Sequence, residues 1–405
     1  MWRVRGTKWY RTSIRRKPSG SVLRRSLRLS RRPIMSDSFI PISKPFIGAR
    51  EKELVLDALN SGWVSSIGKY IDEFEAGFAR YCGTEYALAV SNGTTGLHLA
   101  LAALDLQPGD EVIVPDLTFV ATANAVAYTG ATPIFADIDP DTLCIDPASV
   151  KSLISERTKA IIPVHLYGHP ADMDALTEIG EAHGVHIIED AAEAHGAEYK
   201  GRRVGGLGKC GVFSFYGNKI ITTGEGGMLT TNDRDFYLRA KRLRDHAMSP
   251  RRRYFHEERG FNYRITNLQA ALGVAQLERI DDFLGRRAEI MGWYNSEIAI
   301  SDSVRLNRVK NWAKSAFWMV CLEVDRLDEA GRDAFMQALK ARGIDSRPYF
   351  CTMSSMPMYK QPPLPVSARK ARIGLNLPSY YELTKRDVQR IGADVNELLA
   401  TMGPA

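Results

Sequence analysis

The sequence has 405 residues, of which 44% are hydrophobic and 25% charged, a composition typical of a globular protein with room for two domains. It contains no apolar run of about 18 residues, so we expect no membrane-spanning helix. The formal net charge of +7 comes from residues 1–34, which hold ten arginines, two lysines and no acid, whereas the remainder holds 42 basic and 47 acidic side chains. This mildly acidic remainder gives no support to a nucleic-acid-binding domain.

The five cysteines are scattered, odd in number and without any CxxC pair. They are Cys82, Cys144, Cys210, Cys321 and Cys351. This pattern argues against a disulfide framework and against a structural zinc site, so we expect no metal ion. It suits a reducing compartment, and we therefore expect a cytoplasmic protein.

Residues 1–36 form a basic arm that lacks the apolar stretch of a secretory signal. Three interpretations stay open: a segment similar to an organellar transit peptide, a basic tail for anionic surfaces, or a translation start that lies at Met35. The composition predicts that the arm is disordered.

From residue 37 onwards the pattern is one of alternating helices and strands. Helices are predicted at 49–59, 69–81, 94–104, 118–128, 147–154 and 172–183, and strands at 86–91, 111–114, 132–136, 159–164, 186–190, 210–215 and 227–231. Short apolar strands that alternate with amphipathic helices predict a parallel sheet buried on both faces.

The pattern changes near residue 265. A long helix is predicted at 268–298, followed by a strand at 316–324, a helix at 331–342, an extended stretch at 344–350 and a helix at 385–399. We therefore predict an α/β fold with a large domain at 37–264, whose central sheet is mostly parallel. A long linking helix and a smaller α/β domain follow at 265–405.

The turn Asn92-Gly93-Thr94 joins a predicted strand to a helix, at the sheet edge where open α/β proteins bind ligands. Free amides at a helix start suit a phosphate, although an ordinary strand-to-helix turn has the same pattern. The turn is neither a Walker A loop nor a GxGxxG fingerprint, which disfavours ATP and NAD.

Three more residues follow predicted strands. Phe119 is either a core residue or a ring that stacks on a flat heterocycle. Asp190 needs a cationic partner such as a pyridinium nitrogen, unless it caps a helix or forms a structural ion pair. Burial of Lys219 would favour the neutral amine that attacks carbonyl groups, although a surface loop lysine is the plainer interpretation.

The order of these features is more informative than any one of them. A phosphate turn, a ring, a strand-end acid, and Ser214 five residues before Lys219 occur along one chain, and a glycine-rich turn follows. Together they match the needs of pyridoxal 5′-phosphate, which requires an attachment lysine, an acid at its ring nitrogen and a phosphate cup.

Residues 37–400 resemble the DegT/DnrJ/EryC1/StrS family of pyridoxal-phosphate-dependent nucleotide-sugar aminotransferases. The similarity lies in Ser-Asn-Gly-Thr-Thr at 91–95, Glu-Asp-Ala-Ala-Glu at 189–193 and Ser-Phe-Tyr-Gly-Asn-Lys at 214–219. Motifs at 164–170, 219–228 and 345–348 are most similar to the family's branch of GDP-perosamine synthases. The resemblance implies fold type I, which is the fold of aspartate aminotransferase.

The resemblance also implies roles for the site residues. Lys219 would bind the cofactor covalently and move a proton, Asp190 would pair with the ring nitrogen, and Phe119 would stack on the ring. Glu193 stands where many relatives have glutamine beside the phenolic oxygen of the cofactor. An ionised carboxylate would repel that oxygen, so Glu193 is expected to be protonated, turned away or bonded elsewhere.

The phosphate would be held by the backbone amides of Gly93 and Thr94 and by the hydroxyl of Ser214. Asn262 would reach the phosphate of a neighbouring subunit, so the resemblance implies a homodimer with shared active sites. Trp63, His165 and Arg347 are expected substrate contacts.

The activity implied is transfer of an amino group from L-glutamate to the C4 ketone of GDP-4-keto-6-deoxy-D-mannose. The product, GDP-perosamine, would serve polysaccharide synthesis of the lipopolysaccharide O-antigen type. Alternatives are amination of another UDP- or dTDP-linked keto-sugar, and a non-catalytic protein that binds the cofactor. A related branch dehydrates at C3, but a histidine stands there in place of the lysine.

Overall fold

The computed structural model describes residues 39–401. The basic arm at 1–36, with its predicted disorder, lies outside the described residues and stays a prediction.

The helices of the described chain are α1 (Ala49–Asn60), α2 (Lys69–Cys82), α3 (Gly93–Ala103), α4 (Ala121–Tyr128), α5 (Pro147–Leu153), α6 (Met173–His183), α7 (Arg234–Arg244), α8 (Asn267–Leu277), α9 (Ile280–Glu297), α10 (Glu329–Ala341), α11 (Pro365–Ile373) and α12 (Lys385–Thr401). The strands are β1 (Tyr86–Val90), β2 (Glu111–Pro115), β3 (Thr132–Ala136), β4 (Thr158–Ile161), β5 (His186–Asp190), β6 (Glu198–Tyr199), β7 (Arg202–Arg203), β8 (Cys210–Ser214), β9 (Gly227–Thr231), β10 (Val304–Arg305), β11 (Ala313–Lys314), β12 (Val320–Val324), β13 (Arg347–Pro348) and β14 (Gly374–Leu377). Of these, α7, α11, β14 and the two-residue strands β6, β7, β10 and β11 were not predicted.

The large sheet has seven strands in the order β1-β9-β8-β5-β4-β2-β3. Strands β3, β2, β4, β5 and β8 pair in parallel, while β9 pairs antiparallel with both β8 and β1. The predicted α/β fold with a mostly parallel central sheet is therefore confirmed. The parallel strands end at one edge, which brings the polar residues that follow them together.

Both faces of this sheet are covered by helices, as its continuous apolar strands require. Along β1, Ala87 and Ala89 face one hydrophobic cluster, and Leu88 and Val90 face the other, because side chains alternate along a strand. Helices α1, α2 and α8 pack on the first face, and α3, α4 and α7 on the second.

An aromatic cluster fixes the position of β8. The Phe78 ring on α2 lies 4.8 Å from the Phe213 ring and 5.4 Å from the Phe215 ring, and all three side chains are fully buried. Burial of each ring stabilises the fold by roughly 2–3 kcal/mol, so the end of β8 is strongly held. The loop that follows begins at this fixed point.

The small sheet has the order β10-β12-β14-β13, and all its strands pair antiparallel. Its core contains Leu322, Leu375, Phe335 from α10 and Val395 from α12. The stretch predicted as extended at 344–350 forms only the two-residue strand β13. A third sheet, β11-β6-β7, lies outside these two.

The predicted linking helix at 268–298 is wrong as a single element, because α8 ends at Leu277 and α9 begins at Ile280. Arg279 departs from helical geometry with φ −118° and ψ 10°. Its guanidinium lies over the rings of Phe46 and Phe283 and binds Asp282, contacts that hold it at the break between the two helices.

The strands of the large sheet come entirely from residues before 265, and those of the small sheet entirely from residues after it. Residues 39–401 nevertheless lie within one compact unit, so the boundary at 264/265 stays a prediction. Within the described chain, every helix is too short or too polar to cross a membrane.

Candidate active site

A cavity of about 500 Å³ lies where β1, β2, β5 and β8 end, a volume typical of ligand sites. Two groups of residues line it. We call the first group the floor; it follows the large-sheet strands and consists of Gly93, Thr94, Asp190, Ser214 and Lys219. We call the second group the roof; it comes from the small sheet and its loops and consists of Trp318, Met319, Arg347, Pro348, Phe350 and Asn376.

One end of the floor suits an anion. The Asn92 side chain caps α3 by accepting a hydrogen bond from the Thr95 N–H at 2.9 Å. The amides of Gly93 and Thr94 have no acceptor within the helix, because they belong to its first turn. A Cβ at position 93 would lie 3.0 Å from the Cβ of Ser214, so glycine lets the helix start approach the end of β8. The two amides and the Ser214 hydroxyl thus border the same part of the cavity, where the helix start favours negative charge.

Asp190 is the buried acid of the floor. Its Oδ2 accepts a hydrogen bond from the Thr122 hydroxyl at 2.7 Å, and its Oδ1 accepts one from the Ala192 N–H at 3.2 Å. Burial raises the pKa of Asp190, although the hydrogen bonds from Thr122 and Ala192 and the positive charge of Lys219 lower it. A cationic ligand atom beside the carboxylate would favour its ionised form.

Lys219 follows β8 and extends into the cavity with its side chain 11% exposed. Its Nζ lies 3.5 Å from Oε1 of Glu193 and 3.9 Å from the centre of the Trp318 ring. Burial lowers the pKa of Lys219, as the sequence predicted for an amine that attacks carbonyl groups.

Glu193 is both bonded elsewhere and directed at the lysine. Its Oε2 accepts a hydrogen bond from the Tyr167 N–H at 2.9 Å, while Oε1 is the atom nearest to Lys219 Nζ. Burial raises the pKa of Glu193 to about 7, even though the positive charge of Lys219 lowers it. At neutral pH a substantial fraction of this carboxyl is therefore protonated.

Phe119 borders the cavity with 54% of its surface exposed, so its ring is available to a ligand instead of belonging to the core. Its ring centre lies 5.7 Å from that of Phe350, which joins the floor side of the cavity to the roof. Arg347 also lines the cavity and is exposed, and its contact with substrate stays a prediction.

The structure does not bring every predicted residue to this cavity. His165 is fully buried; its Nε2 lies 3.1 Å from Oε2 of Glu189, and its Nδ1 accepts a hydrogen bond from the Ala171 N–H at 3.0 Å. With both ring nitrogens engaged, His165 holds the end of β5 in place and does not border the cavity, which corrects its expected role as a substrate contact. Trp63 and Asn262 are exposed and lie outside the cavity lining of their own chain.

The roof residues other than Arg347 escaped the sequence reasoning. Trp318 precedes a strand of the small sheet, and Asn376 lies within another, so neither carries a local signal of chemistry. Tyr167, which stacks on Phe350 and lines the cavity, stands two residues after the histidine that was predicted instead.

These features fit pyridoxal 5′-phosphate. The amides of Gly93 and Thr94 suit its phosphate, Asp190 suits a protonated ring nitrogen, and Lys219 suits its carbonyl carbon. Among residues 39–401, no group of three or more histidine, cysteine, aspartate or glutamate side chains is arranged to bind a metal ion.

Comparison with known proteins gives the family of the chain. The model of the DegT/DnrJ/EryC1/StrS aminotransferase family matches residues 45–396. The chain is 46% identical to a GDP-perosamine synthase of Caulobacter vibrioides and 43% identical to one of Escherichia coli O157:H7, in each case over 89% of this chain and 98% of the relative. The PLP form of Spr1654 from Streptococcus pneumoniae superposes with a TM-score of 0.84 at 28% identity, over 89% of this chain and 98% of the other.

Proposed function

The chain belongs to the DegT/DnrJ/EryC1/StrS aminotransferase family, and from this we propose that it transfers the amino group of L-glutamate to the C4 ketone of GDP-4-keto-6-deoxy-D-mannose. The enzyme is a nucleotide-sugar aminotransferase that uses pyridoxal 5′-phosphate. The observation that supports this substrate most is the 46% identity to a GDP-perosamine synthase over almost the whole relative. The product would be GDP-perosamine for a polysaccharide of the O-antigen type.

The bound cofactor supplies an electron sink for amino transfer, and the residues of the floor supply the rest. Asp190 would stabilise a positive charge on the ring nitrogen, and the start of α3 with Ser214 would hold the phosphate. Lys219 would provide the amine for the carbonyl carbon of the cofactor, and its Nζ would accept or donate the proton that amino transfer moves. Asp190 and Ser214 are buried, which shields these two polar groups from bulk water.

The roof contains groups that suit an anionic, sugar-bearing substrate. Arg347 is exposed on β13 and forms no ion pair with any acid among the described residues, so its guanidinium is free to bind a carboxylate or a diphosphate. Phe350 and Trp318 offer aromatic surfaces beside it. We propose that Arg347 contacts both the amino donor and the sugar nucleotide in turn.

We also propose a cytoplasmic homodimer with shared active sites. Trp63 and Asn262 lie outside the cavity of their own chain, which leaves them available to a second copy. Leu56, Leu59, Trp63 and Ile67 are all exposed apolar side chains close together in the sequence, and exposed apolar side chains of this kind suit an interface between subunits.

Two other functions are alternatives to this proposal. An aminotransferase for another keto-sugar, one linked to UDP or dTDP, would have the same floor residues but would bind a different nucleotide base. A non-catalytic cofactor-binding protein would not need an amine at Lys219 together with an acid at Asp190, and both are present.

The experiment is a panel of nucleotide keto-sugars offered to the purified enzyme with L-glutamate, followed by identification of the amino-sugar by mass spectrometry and NMR. We expect amination at C4 of the GDP-linked 4-ketone. Amination of a dTDP- or UDP-linked sugar alone would replace the substrate while leaving the family intact. No transfer to any ketone, by a protein whose visible spectrum ignores glutamate, would contradict an enzymatic role.

A further inference from the structure

Lys219 has two contacts that favour its protonated form, and the charge of Asp190 acts in the same direction, while His195 is a further titratable group that interacts electrostatically with this lysine. Oε1 of Glu193 is 3.5 Å from Nζ, and the face of the Trp318 ring is 3.9 Å from Nζ. A carboxylate attracts the ammonium by charge, and an indole face attracts it by the ring quadrupole, which is strongest for tryptophan. Burial acts in the opposite direction and lowers the pKa of Lys219.

Trp318 is held in this position by the loop that carries the lysine. Its indole Nε1–H donates to the carbonyl of Asn218 at 2.8 Å, and its backbone N–H donates to the carbonyl of Tyr167 at 3.1 Å. Its own carbonyl accepts a hydrogen bond from the buried Arg287 at 2.7 Å. At Gly168, φ is 100° and a Cβ would lie 2.9 Å from the Trp318 nitrogen, so a side chain there would push the two segments apart.

Glu193 is equally constrained. The Tyr167 N–H fixes Oε2, so that Oε1 remains directed at Lys219. The other titratable groups around this carboxyl are Asp190, the Tyr167 phenol, and the thiols of Cys144 and Cys321. None of these is a cation, so Lys219 supplies the positive charge that stabilises the carboxylate.

We propose that Trp318 and Glu193 are positioning residues that together hold a proton on Lys219, so that its amine exchanges a proton at neutral pH instead of remaining permanently neutral. The exchange is an internal one, in which the ammonium of Lys219 and the carboxylate of Glu193 become an amine and a carboxylic acid. A buried lysine without these two neighbours would be an adequate nucleophile but a poor proton carrier. The inference deepens the proposed function, because it rests on Lys219 as the reacting amine.

The test measures the protonation of Lys219 directly in the full-length, cofactor-free chain. Aliquots at a series of pH values are treated briefly with an amine-reactive acylating reagent, and labelling at residue 219 is quantified by peptide mapping. The labelling midpoint reports the pKa of Lys219, independently of any catalytic turnover.

Two variants remove one neighbour each. Glu193→Gln keeps an oxygen for the Tyr167 N–H but removes the charge, and we expect the midpoint to fall by about one pH unit or more. Trp318→Leu removes the ring face, and we expect a fall of roughly 0.5–1.5 pH units, with a smaller fall for Trp318→Phe. Trp312→Phe is the control, because this ring packs on Tyr199 and His169 away from the cavity and its change should leave the midpoint unaltered.

Thermal unfolding of each variant shows whether it is folded. If Trp318→Leu is not folded, the labelling midpoints of Trp318→Phe and Glu193→Gln test the proposal. Equal midpoints in the wild type, Glu193→Gln and the folded Trp318 variant would overturn the proposal, since purely structural roles would change stability alone. A shifted midpoint in a protein that aminates no ketone would leave this inference standing while the proposed function fails.

Discussion

The floor and the roof of the cavity are built in different ways. Each floor residue stands within a few residues of the end of a strand of the large sheet, and Asp190 and Ser214 are almost completely buried. The roof combines Arg347 from β13 with Asn376 from β14, two positions that meet only because those strands pair, and Arg347 is exposed. Strand ends that meet at a sheet edge give the floor a fixed geometry, whereas the roof can vary without disturbing the sheet beneath it.

This difference separates two kinds of chemistry. The floor contains the groups that any pyridoxal-phosphate-dependent aminotransferase needs, and the roof contains groups that contact whatever enters above the cofactor. We therefore expect floor variants to alter the cofactor and the rate of every amino transfer. Roof variants should alter the choice and affinity of substrates instead.

The largest effect is expected at Lys219. Lys219→Arg keeps a buried cation but cannot form the covalent bond, so transfer should fall by at least about 10³-fold in steady-state kinetics. Lys200→Arg is the matched control, since Lys200 pairs with Asp174 at the surface and should retain full activity. Substantial activity in Lys219→Arg would show that the floor does not supply the reacting amine.

The next largest effect is expected at Asp190. Asp190→Asn removes the charge that holds a proton on the ring nitrogen, and kcat should fall roughly 10²- to 10³-fold with a changed visible spectrum. Asp116→Asn is the control, because Asp116 is a buried acid that also follows a strand but binds Ser354 outside the cavity. It should lower the melting temperature while leaving the spectrum of the cofactor unchanged.

A smaller effect, and one confined to substrates, is expected at Arg347. Arg347→Ala should raise the KM for glutamate and for the sugar nucleotide by roughly 10- to 100-fold while cofactor affinity stays the same, and Arg347→Lys should recover part of the loss. Both are measured by steady-state kinetics together with spectroscopic titration of the cofactor. If cofactor affinity fell instead, Arg347 would act on the cofactor, as the floor residues do, and not on the substrates.

The smallest effects compare two neighbouring rings of the cavity lining, Phe119 beside the floor and Phe350 in the roof. Phe119→Leu should weaken cofactor binding by about 3- to 10-fold, because stacking on a flat ring contributes roughly 1 kcal/mol. Phe350→Leu should leave cofactor binding unchanged and raise the KM for the sugar nucleotide by a similar factor. Equal effects of the two changes on cofactor affinity would show that the rings are not divided between floor and roof in this way.

Much of the floor could be predicted from the sequence because its signals are local. The strand ending at Asp190, the turn at Gly93 and the spacing from Ser214 to Lys219 each lie within a few residues, and parallel topology brings them together. The fold class was predictable for the same reason, since alternation of strands and helices is visible along the chain.

The roof could not be predicted in this way. Trp318 reaches Lys219 through pairing of β12 with β14 and through hydrogen bonds to Tyr167 and Asn218, which are contacts between segments far apart in the chain. His165 was expected to contact the substrate on the basis of the resemblance. Its burial and its two hydrogen bonds, which sequence does not reveal, give it a structural role.

The central claim is that the amine of residue 219 binds the cofactor, and reductive trapping tests it most directly. The enzyme loaded with pyridoxal 5′-phosphate is reduced with borohydride, digested, and mapped by mass spectrometry for the peptide that retains the cofactor. We predict that the modified residue is Lys219, and that Lys219→Arg retains no cofactor after the same treatment. A cofactor retained on another lysine, or on none in a folded and fully loaded enzyme, would contradict the account.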